Sequence, residues 1–231
     1  MRPQLILARS IELLTAAGLT IAGCGTTIGT NTENTYTVTE PVTSLKINNL
    51  VGSIQVEGAD VTTISVTEKL TYTGSAPKTN HSVSDRRLTL SYTCPSGINV
   101  SCSVSYLVKV PRRIAVQIDD NVGAVTLTGL AGQLTVTSGA GNIDATDLAS
   151  EVVTARSNAG TITLAFATPP TTVSAQAQVG SVTVQLPVGT AYAVDAGSQV
   201  GAVDVTVQGD PGSAHRVTAH SQVGLVTVHN G

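Results

Sequence analysis

Cys94 and Cys102 stand eight residues apart around the turn-rich stretch Pro-Ser-Gly-Ile-Asn-Val-Ser, between two runs of alternating apolar residues. In an oxidising compartment that spacing suits a disulfide closing a hairpin. So short a loop contributes on the order of 2–3 kcal/mol when unstrained. A metal site is the alternative, although no histidine lies close in sequence to either cysteine. His215, His220 and His229 fall within fifteen residues of one another, and imidazoles so grouped can hold a metal at an exposed patch. They carry no accompanying carboxylate motif, and solvated surface histidines are the commoner arrangement. Glu57, Asp119, Asp144 and Asp204 take outward positions, with Asp120 and Asp147 at corners. Acid/base or calcium-assisted cleavage of a polysaccharide needs such carboxylates clustered about a basic group. Here Asp119 and Asp144 fall on different strands, and Arg156 is the basic outward residue nearby, so solubilising charge is the expected role. No Gly-x-Ser-x-Gly elbow or His-Glu-x-x-His helix is present. No catalytic residue, metal or cofactor is expected, and the chain reads as a non-enzyme.

The third cysteine has a different setting. Arg2 and Arg9 precede the apolar stretch Leu13–Ala22, which ends in Ile21-Ala22-Gly23-Cys24. The stretch is too short to span a bilayer as a helix and reads as a cleaved export signal over residues 1–23. Ile-Ala-Gly-Cys resembles the bacterial lipobox, in which small residues precede a cysteine that is acylated and becomes the first residue. Cys24 is therefore the expected lipidation site. The protein would be anchored to the outer side of the cytoplasmic membrane without crossing it. Residues 24–39, rich in Thr, Asn and Gly, read as a flexible tether. Removal of residues 1–23 leaves 10 basic and 14 acidic residues, a formal net charge of −4. That balance argues against a nucleic-acid partner. Without Trp and with one Phe, stacking platforms for bases or sugars are scarce as well.

The elements that must position these groups repeat. Gly52, Gly123, Gly141, Gly160, Gly180, Gly201 and Gly224 each sit in a unit of apolar-x-apolar-x-(Ser/Asn/Asp)-x-(Val/Ala)-Gly-x-(Val/Ile)-x-apolar type. From Gly123 the spacings are 18, 19, 20, 21 and 23 residues, the period of a solenoid. Seven residues before the glycines stand Leu45, Val116, Leu134, Val153, Val173, Val194 and Val217; two after stand Ile54, Val125, Ile143, Ile162, Val182, Val203 and Val226. Alternation with period two makes both arms strands, joined by a tight corner where glycine accepts positive φ and short polar side chains bond the backbone. The step from each glycine to the next unit grows as 11, 12, 13, 14 and 16 residues, so length variation sits at the opposite connection. Between Gly52 and Val116 the repeat breaks. Val61–Thr73, Ser82–Thr93 and Cys102–Val110 alternate strongly and read as longer antiparallel strands forming an insert, residues 51–115, that caps the first coil. The predicted class is all-β: a single-stranded β-solenoid of about 18–23 residues per coil, residues 40–231, with that insert near its N-terminal end. The C-terminal segment from Gly224 to Gly231 is expected to finish as a bare edge strand open to self-association.

The serial units, Leu45-Lys-Ile47-Asn-Asn49-Leu-Val-Gly52-Ser-Ile54 and Tyr106-Leu-Val-Lys-Val110-Pro111 resemble the bacterial putative-adhesin domain family of unknown function. The resemblance covers roughly residues 40–231. It implies a β-solenoid placed at the cell surface and is almost silent on activity. The expected function is a lipid-anchored binding or structural module of the bacterial envelope. Its partner would be an unidentified envelope protein or polysaccharide. A polysaccharide-binding or carbohydrate-active β-helix is the alternative.

Overall fold

The computed structural model describes residues 29–97 and 101–231, and among them there is no helix. The export signal and Cys24 lie outside the described residues. In chain order the first strands are β1 (Thr30–Val38), β2 (Ser44–Val51), β3 (Ile54–Ala59), β4 (Ile64–Tyr72), β5 (Lys78–Ser84), β6 (Arg87–Thr93) and β7 (Cys102–Pro111). There follow β8 (Ala115–Val122) and β9 (Val125–Thr128) flanking Gly123, β10 (Leu134–Ala140) and β11 (Ile143–Leu148) flanking Gly141, and β12 (Val152–Ala159) and β13 (Ile162–Phe166) flanking Gly160. The last three coils are β14 (Thr172–Val179) with β15 (Val182–Leu186), β16 (Ala193–Val200) with β17 (Val203–Val205), and β18 (Arg216–Val223) with β19 (Val226–Asn230).

Each corner glycine turns the chain from one sheet into the other. First arms form a nine-stranded sheet in the order β16-β18-β14-β12-β10-β8-β2-β6-β5; second arms form a ten-stranded sheet in the order β1-β4-β7-β3-β9-β11-β13-β15-β19-β17. Coils stack in parallel and in register, Leu134 on Val116 and Val136 on Ile118 in one sheet, Ile143 on Val125 and Ala145 on Leu127 in the other. Period-two alternation sends these side chains into a shared core between the sheets, where all eight are buried. The solenoid class is therefore observed, as a two-sheeted column.

The corner itself explains why glycine recurs. A Cβ on Gly141, Gly160 or Gly180 would collide with the carbonyl oxygen of the corner glycine one coil away, Gly123, Gly141 and Gly160 respectively. Most of these glycines also take positive φ, 143° at Gly180. Three residues before each glycine the side chain turns inward, giving Asn49, Asp120, Ser138, Ser157, Ala177, Ser198 and Ser221. Asn49 Nδ2 donates to Gly52 O in its own coil at 2.8 Å, whereas Ser221 Oγ donates to Gly180 O (2.8 Å) and Ser198 Oγ to Gly224 O (2.7 Å) in neighbouring coils. The polar residue of the motif thus stitches coils together as well as shaping its own turn.

Three expectations are corrected. The first is the tether: Thr30–Val38 is strand β1, antiparallel to β4 in nine-residue register. Its polar composition reflects an edge position, since cross-strand bonds such as Thr71 Oγ1 to Asn31 Oδ1 (2.8 Å) and Tyr36 Oη to Glu68 Oε1 (2.9 Å) replace an apolar face. Glu68 is itself almost fully buried on the core side of β4, and burial followed by the Glu68 hydrogen bond pushes the Tyr36 phenol far above its usual range. The second correction concerns the insert. The expected strand Ser82–Thr93 divides into β5 and β6 at Asp85 and Arg86, two non-glycine residues at positive φ (51° and 58°) that make a hairpin turn. β6 then pairs parallel with β2 and β7 with β3, so these two strands form a further coil, and the Cys94–Cys102 disulfide ties the end of β6 to the start of β7. Among the described residues the antiparallel pairings are β1 with β4, β4 with β7 and β5 with β6.

The third correction is the order of the last coils. β18 and β19 lie between the Gly180 coil and the Gly201 coil, so the C-terminal strand β19 is flanked by β15 and β17 and is no edge. The backbone agrees: Gly180 N–H donates to Val223 O (2.9 Å), and Gly224 N–H donates to Val200 O (2.9 Å). Burial supplies the reason. Val217, Ala219, Val226 and Val228 are fully buried between two neighbours, whereas the three-residue β17 leaves Val203 and Val205 each 43% exposed. Placing the fuller coil inside and the weaker one at the end hides more apolar surface. The 16-residue step from Gly201 to Val217 is the one that carries the chain back past its own previous coil.

Candidate functional site

The outer face of the nine-stranded sheet carries a groove of about 420 Å³ across its last four coils. Alternation sends outward the residue four before each corner glycine. In stacking order these are Arg156, Gln176, His220 and Gly197, paired in register. The residues two before each glycine are outward as well, and there the order is Asn158, Gln178, Gln222 and Gln199. Four carboxamides therefore line one side of the groove, one per coil, at the inter-strand spacing of roughly 4.8 Å. Along the other side, Arg156 Nε donates to Gln176 Oε1 (3.4 Å), and His220 Nε2 lies 3.3 Å from Asp195 Oδ2. At the far end Gly197 keeps the floor open, since a Cβ there would come within 2.9 Å of the His220 ring. The corner ridge beside the amides is apolar: Val179, Val223 and Val200 are all exposed.

The groups singled out in the sequence do not share this site. Asp119 pairs with Lys46 (3.3 Å), Glu57 with Lys109 (3.1 Å), and Asp147 with Arg112 (3.8 Å), which also contacts Asp60 (3.2 Å). Asp144 and Asp204 lie on the opposite, ten-stranded sheet from Asp119. Of the histidines, His215 Nδ1 bonds Pro170 O (2.7 Å) and its ring meets Tyr192 edge-on; His229 Nδ1 bonds Asn230 O (2.8 Å); His81 stacks on Tyr36 at 4.4 Å; only His220 enters the groove. Among the described residues, no three His, Cys, Asp or Glu side chains group as metal ligands. Cys94 and Cys102 are disulfide-bonded, with Cα atoms 5.9 Å apart, between the end of β6 and the start of β7. A second groove of about 440 Å³ on the ten-stranded sheet contains the Glu57–Lys109 pair, so its charge is already matched internally.

Asp120 stands inside the column. Its Oδ1 accepts from Asn49 Nδ2 at 2.8 Å, while Oδ2 is buried without a partner. Burial pushes this carboxyl above its ordinary value of 3.8, and the Asn49 bond only partly opposes the rise. The folded state then binds the proton more tightly than the unfolded state, so this group costs stability at neutral pH. The cost is relieved as pH falls through the raised value towards 3.8. Asp120→Asn is expected to raise the melting temperature at pH 7, with the gain shrinking on acidification. Parallel melting profiles for variant and native protein between pH 7 and 4 would contradict this placement.

The amide ladder escaped the sequence reading, although its signal is plain in retrospect: Asn158-Ala-Gly160, Gln178-Val-Gly180, Gln199-Val-Gly201 and Gln222-Val-Gly224. The family described as Toastrack DUF4097 matches residues 108–229. No curated protein matches the chain. Among solved structures, the chain is similar to a "putative cell adhesion protein" from Clostridium sporogenes, at 18% identity over 87% of this chain and 100% of that one, with a TM-score of 0.48. It is also similar to a "putative adhesin" from Bacteroides fragilis, at 16% identity over 87% of this chain and 97% of that one, with a TM-score of 0.49.

Proposed function

The chain belongs to the Toastrack DUF4097 family, and on that footing we propose that it is a non-enzymatic lipoprotein of the bacterial envelope that presents a binding face away from the membrane. Cys24 carries the lipid, and five residues separate it from the first strand at Thr30. One observation supports the reading above others. β1 is the outermost strand at the capped end of the ten-stranded sheet, while the groove occupies the last four coils at the other end. Six strand spacings of roughly 4.8 Å lie between β1 and β13, the second arm of the first groove coil, so roughly 30 Å of stacked sheet separates the first strand from the groove. The corner glycines, which admit no side chain, keep that column close-packed along its length.

Membrane fractionation tests the anchoring. Cys24→Ser is expected to move the protein from the membrane pellet to the soluble extracytoplasmic fraction, because the acyl chains supply the attachment. Retention of the variant in the pellet after high-salt washing would refute a lipid anchor.

A further inference from the structure

We propose that the groove over the Gly160, Gly180, Gly224 and Gly201 coils binds a linear, carboxylate-bearing polysaccharide lying along the column axis. This rests on the reading of the protein as a surface-presented binding module and names its ligand class. Three features converge on that occupant. The first is periodicity. Asn158, Gln178, Gln222 and Gln199 repeat at the strand spacing of roughly 4.8 Å. An extended β-1,4-linked pyranose chain advances by about one such spacing per sugar, so successive residues can meet successive coils.

The second is hydrogen-bonding character. Each carboxamide offers two donors and an acceptor, which match the paired hydroxyl groups of a sugar ring. The third is charge. Among the described residues Arg156 has no carboxylate partner, its guanidinium donating to the Gln176 amide at 3.4 Å, and it stands at the head of the ladder. A guanidinium fork selects a planar carboxylate over a hydroxyl. The exposed Val179, Val223 and Val200 form an apolar wall beside the amides, against which the C–H faces of a sugar chain can rest. With no Trp in the chain, recognition falls on charge and hydrogen bonding rather than on ring stacking.

Calorimetric titration of the full-length protein in detergent tests this, using polymannuronate oligomers long enough to span four coils and cello-oligosaccharides of equal length as the uncharged probe. Polymannuronate is expected to bind, more weakly as salt rises, and to bind better than the neutral chain. Arg156→Ala should weaken polymannuronate binding about tenfold through loss of a charge-assisted bond. Gln178→Ala with Gln222→Ala should weaken both probes, while Thr163→Ala on the opposite sheet should change neither. Absence of polymannuronate binding, equal binding by Arg156→Ala, or equal affinity for the neutral chain would each overturn the inference. The anchoring reading is tested separately by release of Cys24→Ser, so either can fail alone.

Discussion

Replacing Gly180 with valine is expected to lower the melting temperature by about 10 °C or to prevent folding altogether. Gly180 holds φ at 143°, where a side chain is strained, and its Cβ would run into the Gly160 carbonyl oxygen. Relief by movement is blocked from the other side. The Gly180 carbonyl accepts the Ser221 hydroxyl at 2.8 Å, and the Gly224 corner rests on it as closely as Gly180 rests on Gly160. Backbone strain of about 1–3 kcal/mol adds to overpacking of about 1–3 kcal/mol. For a domain of this size each kcal/mol shifts the midpoint by about 2–4 °C. Gly209→Ala is the matched control, since a Cβ there meets nothing within 4 Å and its φ is unremarkable. Thermal melts followed by circular dichroism should leave that control close to the native value. A Gly180→Val protein melting with the native one would mean the corner column does not bear on stability.

The repeat was legible because two independent signals coincide at every corner. Glycine appears where a carbonyl of the next coil leaves no room for Cβ, and apolar residues alternate on both sides of it. Gly180 with Val173, Ala175, Val182 and Val184 shows both. Where one signal is missing, the reading weakens. The coil made by β6 and β7 has the alternation, in Leu88, Leu90, Tyr106 and Val108, but Val104 stands in register with the corner Gly52 of the neighbouring coil, and the two strands are tied by the Cys94–Cys102 bridge. It therefore reads as an insert rather than as a member of the stack. β1 lacks alternation because an edge strand needs only Tyr36 and Val38 facing inward, and its threonines and asparagines look like a tether.

Burial of Asp120 was hidden for another reason. It occupies the position held by Ser138 and Ser157, so the motif marks it as a corner residue and says nothing of its lack of a second partner. The order of the last coils was hidden most thoroughly. Val194-Asp-Ala196 and Val217-Thr-Ala219 present nearly the same inward pattern, and either could follow Val173-Ser-Ala175. Only the brevity of β17 and the long step back from Gly201 distinguish them, and both are weak signals in a single sequence. The groove inherits this problem. Its amides can be read from the sequence, but their sequence of neighbours cannot, because the C-terminal coil sits inside the stack.

That stacking order is the claim on which the groove, the buried C-terminal strand and the exposed Val203 and Val205 all depend. Cysteine pairs on outward positions of the nine-stranded sheet test it directly. Ser174 lies beside Thr218 in register, and Thr218 in turn lies beside Asp195. In a Cys24→Ser background, Ser174→Cys with Thr218→Cys is expected to close a disulfide on mild oxidation, seen by mass and by electrophoretic mobility. Ser174→Cys with Asp195→Cys is expected to stay reduced, since two strand spacings, roughly 9.6 Å, exceed disulfide reach. Closure of the Ser174–Asp195 pair with failure of the Ser174–Thr218 pair would place the coils in sequence order and contradict the account.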